Sequence, residues 1–210
     1  MEKITSKTNS KIKYAYSLHQ TKERKENHQF LAEGYKSLEL ALKAGLVKEI
    51  YTLKPITGVD RKITQYLATE EIIEKLAFSS SPEGVVFLCD MPKNVANKLN
   101  KVVYLEQIND PGNMGTIIRT AFAFNYDAVI VSPDCVNVFN EKVIAASKGS
   151  IFLMPILEGK VEDYLSNQKL IVSTLNNKSI DLDNLSTPES FFLVLDVLLS
   201  TLSCSILPRT

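Results

Sequence analysis

Asn113, Gly115 and Arg119 are the residues whose types and spacing point most directly to chemistry. They follow Asp110, Pro111 and Gly112, a turn sequence that separates an apolar run at 101–107 from a helix-periodic segment at 113–124. Asn113 stands at the start of that helix, where its side chain either caps free amides or offers its own amide to a ligand. Gly115 lets a backbone or a substrate approach closely. Arg119 follows roughly 9 Å further along the helix axis. Its neighbours Ile117, Ile118, Ala121 and Phe122 are apolar. A guanidinium in such a setting usually has an assigned partner, a carboxylate or a phosphate. The plainer alternative is that Asn113 caps and Arg119 forms a salt bridge.

Other chemistries fall away. Gly112 and Gly115 follow a strand, yet the third glycine of a dinucleotide-binding turn is absent and the spacing differs; a Gly-Lys-Ser/Thr phosphate loop is also missing. His19 and His28 are the only histidines, and both precede residue 30, so no histidine triad or cluster is expected in the second half. Cys89, Cys135 and Cys204 are far apart and form no C-x-x-C pair, which argues against a zinc site or a disulfide framework. No metal is expected, and the cytoplasm is the simplest location.

The elements that must position Asn113 and Arg119 read as an α/β chain. Apolar strands at 101–107, 127–131, 151–156, 170–174 and 191–195 alternate with helices at 113–124, 140–147 and 161–167. That rhythm calls for a parallel sheet covered on both faces, with ligands beyond the carboxyl ends of its strands. The first half carries helices behind Asn9 and Ser10, at 35–44 and from Thr69 to residue 76, with strands at 29–33, 47–53 and 84–89. Little apolar periodicity remains between 91 and 100, so residues 1–94 and 100–210 are read as two domains.

The net charge of zero conceals an asymmetry. Residues 1–94 carry 15 Lys/Arg against 12 Asp/Glu, and the first 25 residues carry 7 basic and 2 acidic side chains. A basic leader docks a polyanion through phosphate contacts that weaken with salt, or is simply a solvated helix face. Tyr14, Tyr16 and Tyr35 either stack bases or belong to the core beside Ile12 and Leu38. No apolar run is long enough to span a bilayer, and Met1 to Asn9 holds no signal core, so no membrane partner is expected.

The stretch from Asp110 to Ala121, with Asn113, Gly115 and Arg119 at their spacing, resembles the first signature motif of the SpoU/TrmH RNA ribose 2′-O-methyltransferases. Ile4, Ser6, Asn9, Lys11, Lys13, Arg24, Phe30, Glu33, Gly34 and Ala41 resemble the substrate-binding domain that precedes the catalytic domain in that family, and Ser81 to Val85 its closing strand. Asn140 to Lys142 and Ser147 to Pro155 resemble the second conserved block. The resemblance runs from about Ile4 to Leu195. It implies a small α/β/α RNA-binding domain followed by a parallel-sheet α/β domain of SPOUT type, the trefoil-knot family. It also implies S-adenosylmethionine as cofactor, RNA and in particular ribosomal RNA as partner, and a homodimer. Asn113 and Arg119 become the catalytic pair, with Gly112, Gly115, Glu33 and Gly34 as motif support. Asn9, Lys11, Lys13, Lys22 and Arg24 become RNA contacts.

Two departures stand against the family pattern. Where the family continues after its Leu195 position with Gly-Asn-Glu, an Ile-Pro-Met strand and a Ser-Leu-Asn helix, this chain reads Asp196 onward to Thr210 without those motifs. The residues that would bind the cofactor are therefore unassigned, the knot is expected to be incomplete, and weak or absent S-adenosylmethionine binding is the expectation. Asp196 replaces a glycine, and Ala145 stands where an arginine is common in the family. The alternative reading is a non-catalytic RNA-binding remnant of such an enzyme.

Overall fold

The computed structural model describes residues 1–93, 95–96, 98–173, 184–196 and 204–207. They form two compact units, Met1–Pro92 with Phe139–Leu153, and Lys93–Val138 with Met154–Thr210.

The first unit is built on a five-stranded sheet of β1 (Glu2–Ile4), β2 (Gln29–Glu33), β3 (Val47–Thr52), β4 (Thr64–Ala68) and β5 (Val85–Asp90), in the order β1-β4-β3-β5-β2. β5 runs antiparallel to both β3 and β2, whereas β1, β4 and β3 are mutually parallel. Side chains alternate between faces along a strand. Leu31, Val86 and Leu88 accordingly join one core cluster with Ile12, Ala15 and Leu18 of the leading helices and Ile72, Ile73 and Leu76 of α4 (Glu70–Leu76). The leading helices are α1 (Ser10–Ser17) and α2 (Thr21–Asn27). Phe30 and Phe87 point the other way and meet rings of the returning segment, Phe30 to Phe139 at 4.7 Å and Phe87 to Phe152 at 6.2 Å between centroids. α3 (Tyr35–Lys43) lies in this unit too, as does α6 (Glu141–Ser147). Gly149, at φ +89°, comes so close to α3 that a Cβ there would sit 2.3 Å from Leu40 Cδ1.

The second unit holds β6 (Lys101–Glu106), α5 (Pro111–Ala123), β7 (Ala128–Val131), β8 (Ile156–Glu158), β9 (Lys169–Ser173), β10 (Phe191–Asp196) and β11 (Cys204–Leu207). Its sheet runs β11-β9-β10-β6-β7-β8, parallel throughout except that β11 is antiparallel to β9. The near-continuous apolar sequences of β6 and β7 are what strands buried on both faces require. Val102, Tyr104, Ile130 and Phe192 form the core on one face.

Two expected elements differ. Residues 151–156 do not form one strand: Ser150–Phe152 is a 3-10 turn, and β8 starts only at Ile156. The expected helix at 161–167 is a single 3-10 turn, Val161–Asp163. Short apolar runs do not distinguish these states by periodicity alone. The carboxyl-terminal residues 197–203 and 208–210, on which the expectation of an incomplete knot falls, lie outside the described residues.

Candidate active site on the strand-turn-helix of the second unit

β6 and β10 are neighbours whose onward connections part: β6 leads through α5 to β7, and β10 leads toward β11 on the far side of β9. Crevices at such a switch point, outside the carboxyl ends of the strands, are where parallel sheets bind ligands. Level with each other at those ends stand Glu106 and Asp196.

The turn that leaves β6 is pinned from behind. Gln107 takes a left-handed φ of 52° and its N–H donates to Ser132 Oγ at 3.2 Å. Ser132 N–H donates to the Leu105 carbonyl at 2.9 Å and Val136 N–H to that of Ile108, also at 2.9 Å. Cys135 Sγ reaches the Leu105 carbonyl at 3.4 Å. The loop after β7 thus holds the loop after β6. Ser132 and Cys135 were not singled out by the sequence, because their partners are backbone atoms some 25 and 30 residues away.

α5 begins earlier than the spacing predicts, and its cap is a different residue. Asp110 is the N-cap, its carboxylate accepting from Asn113 N–H at 2.7 Å, and Pro111 occupies the first helical position. The capping reading of Asn113 is thereby corrected: its backbone is capped, and its side chain stands exposed without a hydrogen-bond partner among the described residues. Gly112 makes the cap tight, since a Cβ there would lie 3.1 Å from Asp110 Oδ1. Met114, Gly115, Ile118 and Ala121 form the buried face. Arg119 is exposed, and among the described residues it enters no salt bridge. Helix geometry sets Asn113 and Arg119 about 9 Å apart along the axis and about 120° around it. Both are exposed, on opposite flanks of the solvent-facing side of α5, without touching each other.

The leader residues are placed less uniformly. Asn9 is the N-cap of α1, accepting from Lys11 N–H at 2.9 Å. The Lys11 ammonium donates to Tyr66 Oη and lies 4.5 Å from that ring's centroid; the hydrogen bond raises its pKa. Lys13 and Lys22 are exposed, Lys22 with Glu26 at 3.8 Å. Arg24 is a correction: only 2% exposed, it donates to the carbonyls of Leu18 at 3.0 Å and His19 at 2.8 Å and to Thr21 Oγ1 at 2.9 Å. Burial lowers its pKa, with Glu141 acting in the opposite direction. A guanidinium used this way holds the α1–α2 corner and is not offered to phosphate. Glu33 likewise serves the backbone, accepting from Phe78 N–H at 2.9 Å and Ser79 N–H at 3.1 Å, and Gly34 supplies a φ of +90°. Tyr14, Tyr16 and Tyr35 are all exposed, so the core reading fails for them.

Residues 100–195 match the SpoU rRNA Methylase family, and residues 9–86 the MRM3-like substrate binding domain. The 23S rRNA (guanosine(2553)-2′-O)-methyltransferase RlmP of Bacillus subtilis is 32% identical over 173 residues, 80% of this chain and 70% of its own length. The chain belongs to the SpoU rRNA methylase family. An uncharacterized tRNA/rRNA methyltransferase of Synechocystis is 35% identical over 72% of this chain, which spans 60% of that relative's length. The AdoMet-bound rRNA methyltransferase of Sinorhizobium meliloti superposes with a TM-score of 0.82 at 25% identity, covering 99% of this chain and 83% of its own.

S-adenosylmethionine is the cofactor of SpoU methylases. The β6–α5 turn presents Asn113 and Arg119 unencumbered. Across the switch point β10 ends at Asp196, in register with Glu106. Among the described residues no group of three His, Cys, Asp or Glu side chains is arranged for a metal ion, and no helix is long and apolar enough to cross a membrane.

Proposed function

We propose that this SpoU-family chain is an S-adenosylmethionine-dependent methyltransferase acting on the ribose 2′-hydroxyl of RNA, ribosomal RNA in particular. The observation that carries this is the exposed, unpaired Arg119 on a helix that leaves the carboxyl end of a central parallel strand, in a chain 32% identical to a 23S rRNA 2′-O-methyltransferase. When bound, the cofactor supplies an electrophilic methyl group on a sulfonium. A ribose hydroxyl is a poor nucleophile at neutral pH, so the protein's task is to stabilise the alkoxide that develops as its proton passes to solvent water. Arg119 does this directly, or through the adjacent phosphate, with a fixed guanidinium charge that holds its proton. Asn113 orients the ribose from the first turn of α5.

Residues 1–94 serve as the RNA substrate-binding domain and 100–210 as the methyltransferase domain. Lys13 and Lys22 contribute phosphate contacts, with Asn9 and Lys11 shaping that surface. The enzyme works as a homodimer in the cytoplasm. The test is transfer of a tritiated methyl group from S-adenosylmethionine to ribosomal RNA, followed by alkaline hydrolysis. Label retained in alkali-resistant dinucleotides supports ribose 2′-O-methylation; label in mononucleotides, or no transfer, refutes it.

A further inference from the structure

The first unit contains a cleft of about 360 Å³, between the end of β2, the start of α3, the loop after α4, and α6. The catalytic reading uses none of it. Part of its wall is structural: Glu33 is committed to the amides of Phe78 and Ser79, and Glu83 accepts from Tyr35 N–H at 3.0 Å. The remaining lining has other chemistry. Lys36, Lys148 and Glu141 face the cleft and enter no salt bridge among the described residues. Phe78 supplies an aromatic wall. Its ring is the inner end of a row: Phe78 lies 4.4 Å from His19, which lies 4.9 Å from Tyr16, and Tyr16 is 48% exposed on α1. The row joins the solvent face of the leading helix to the cleft.

We infer that this cleft seats one unpaired nucleotide of the RNA, an anchoring nucleotide other than the one presented to Arg119. Its volume is at the lower end of the roughly 300–1,000 Å³ typical of small-ligand pockets, which suits a single nucleotide. An unpaired base offers a face to Phe78 and its exocyclic amine to the Glu141 carboxylate, while Lys36 and Lys148 take the phosphate. A base held in a duplex cannot do this, because its edges and faces are occupied. Tyr16 is placed to receive the neighbouring base as the strand leaves the cleft. The inference rests on RNA being the substrate.

The test uses the full chain with an unstructured oligoadenylate carrying one 2-aminopurine, and a hairpin of equal length as comparison. The single strand is expected to bind more tightly than the hairpin, with quenched 2-aminopurine fluorescence. Phe78→Tyr should keep the quenching and Phe78→Leu should lose it. The exposed pair Lys36→Glu and Lys148→Glu, which spares the core, should weaken binding about tenfold. RNA binding that is indifferent to all of these changes, or that is equal for hairpin and single strand, overturns the cleft while leaving the methyltransferase reading intact. Failure of the wild-type chain to bind any RNA overturns both.

Discussion

Asp110 accepts a hydrogen bond from the Asn113 N–H at 2.7 Å, and this contact fixes where α5 begins. Removing it by Asp110→Ala should cost about 1 kcal/mol, a fall in Tm of about 2–4 °C for a chain of this size. Asp110→Asn should recover most of the loss. Thermal melts of the two variants separate the cap from any effect of charge.

Arg119→Ala should lower methyl transfer to RNA by about 100-fold or more while leaving the melting temperature nearly unchanged, since Arg119 is exposed. Arg119→Lys should not restore activity, because a point charge does not reproduce the planar fork of donors. Full activity in Arg119→Ala would remove Arg119 from the mechanism, and full activity in Arg119→Lys would show that its charge, not its fork of donors, is what is used.

Arg24 and Lys13 should separate stability from RNA binding. Arg24→Met strips a donor from the Leu18 and His19 carbonyls, at a cost of about 1–3 kcal/mol; denaturant titration reads it. Lys13→Gln should leave stability alone and reduce the slope of log affinity against log salt by about 0.7 for single-stranded RNA.

Gly149→Ala should destabilise the chain by about 2–4 kcal/mol, combining left-handed backbone strain with overpacking. Adding Leu40→Ala should relieve the contact, now 2.3 Å from the new Cβ, but not the strain at φ +89°. Partial recovery in the double variant is the expected result of a chemical denaturation series.

Burial lowers the pKa of His19 below its usual 6.5, against a smaller opposing effect of its hydrogen bond to the Leu76 carbonyl and of Glu141 and Glu33; Arg24 acts with burial. A depressed folded-state pKa means that the unfolded chain takes up the proton first. The contribution of His19 to stability is therefore full above the unfolded pKa and is lost as pH falls through the folded one. His19→Gln should flatten the dependence of stability on pH in that acid window, measured by urea melts at several pH values.

Much of this architecture was legible in the sequence, and the exceptions share a cause. β2 and β6 stand out as compact apolar runs, Asn9 precedes α1 as a cap residue does, and Thr69 opens α4 although its side chain makes no capping hydrogen bond. β1 and β4 were missed because Glu2 to Ile4 and Thr64 to Ala68 are short and mixed in polarity; their pairing supplies what their composition lacks. α2 was missed because Thr21–Asn27 has no apolar stripe, its one buried side chain being Arg24. For the same reason Arg24 read as a surface cation: nothing in its local sequence announces the carbonyls waiting at the α1–α2 corner. At the candidate site the order of residues was clear and the division of labour was not. Asp110 and Asn113 are both good caps by type, and only the backbone decides which one has the amide to satisfy.

The position of β10 has a consequence for how the chain comes together. Ser190 and Asn100, hydrogen-bonded across the start of the β6–β10 pair, are 90 residues apart in sequence. A ribosome releases β6 and β7 well before the strand that must lie against them on the other side, so during synthesis the middle of this sheet stays open. Local helices and hairpins have no such wait, and long-range parallel pairing is the slow part of folding. The first unit waits as well, since Leu40 meets Gly149 only after the intervening residues have emerged. Neither half of this protein can finish folding in the order in which it is made.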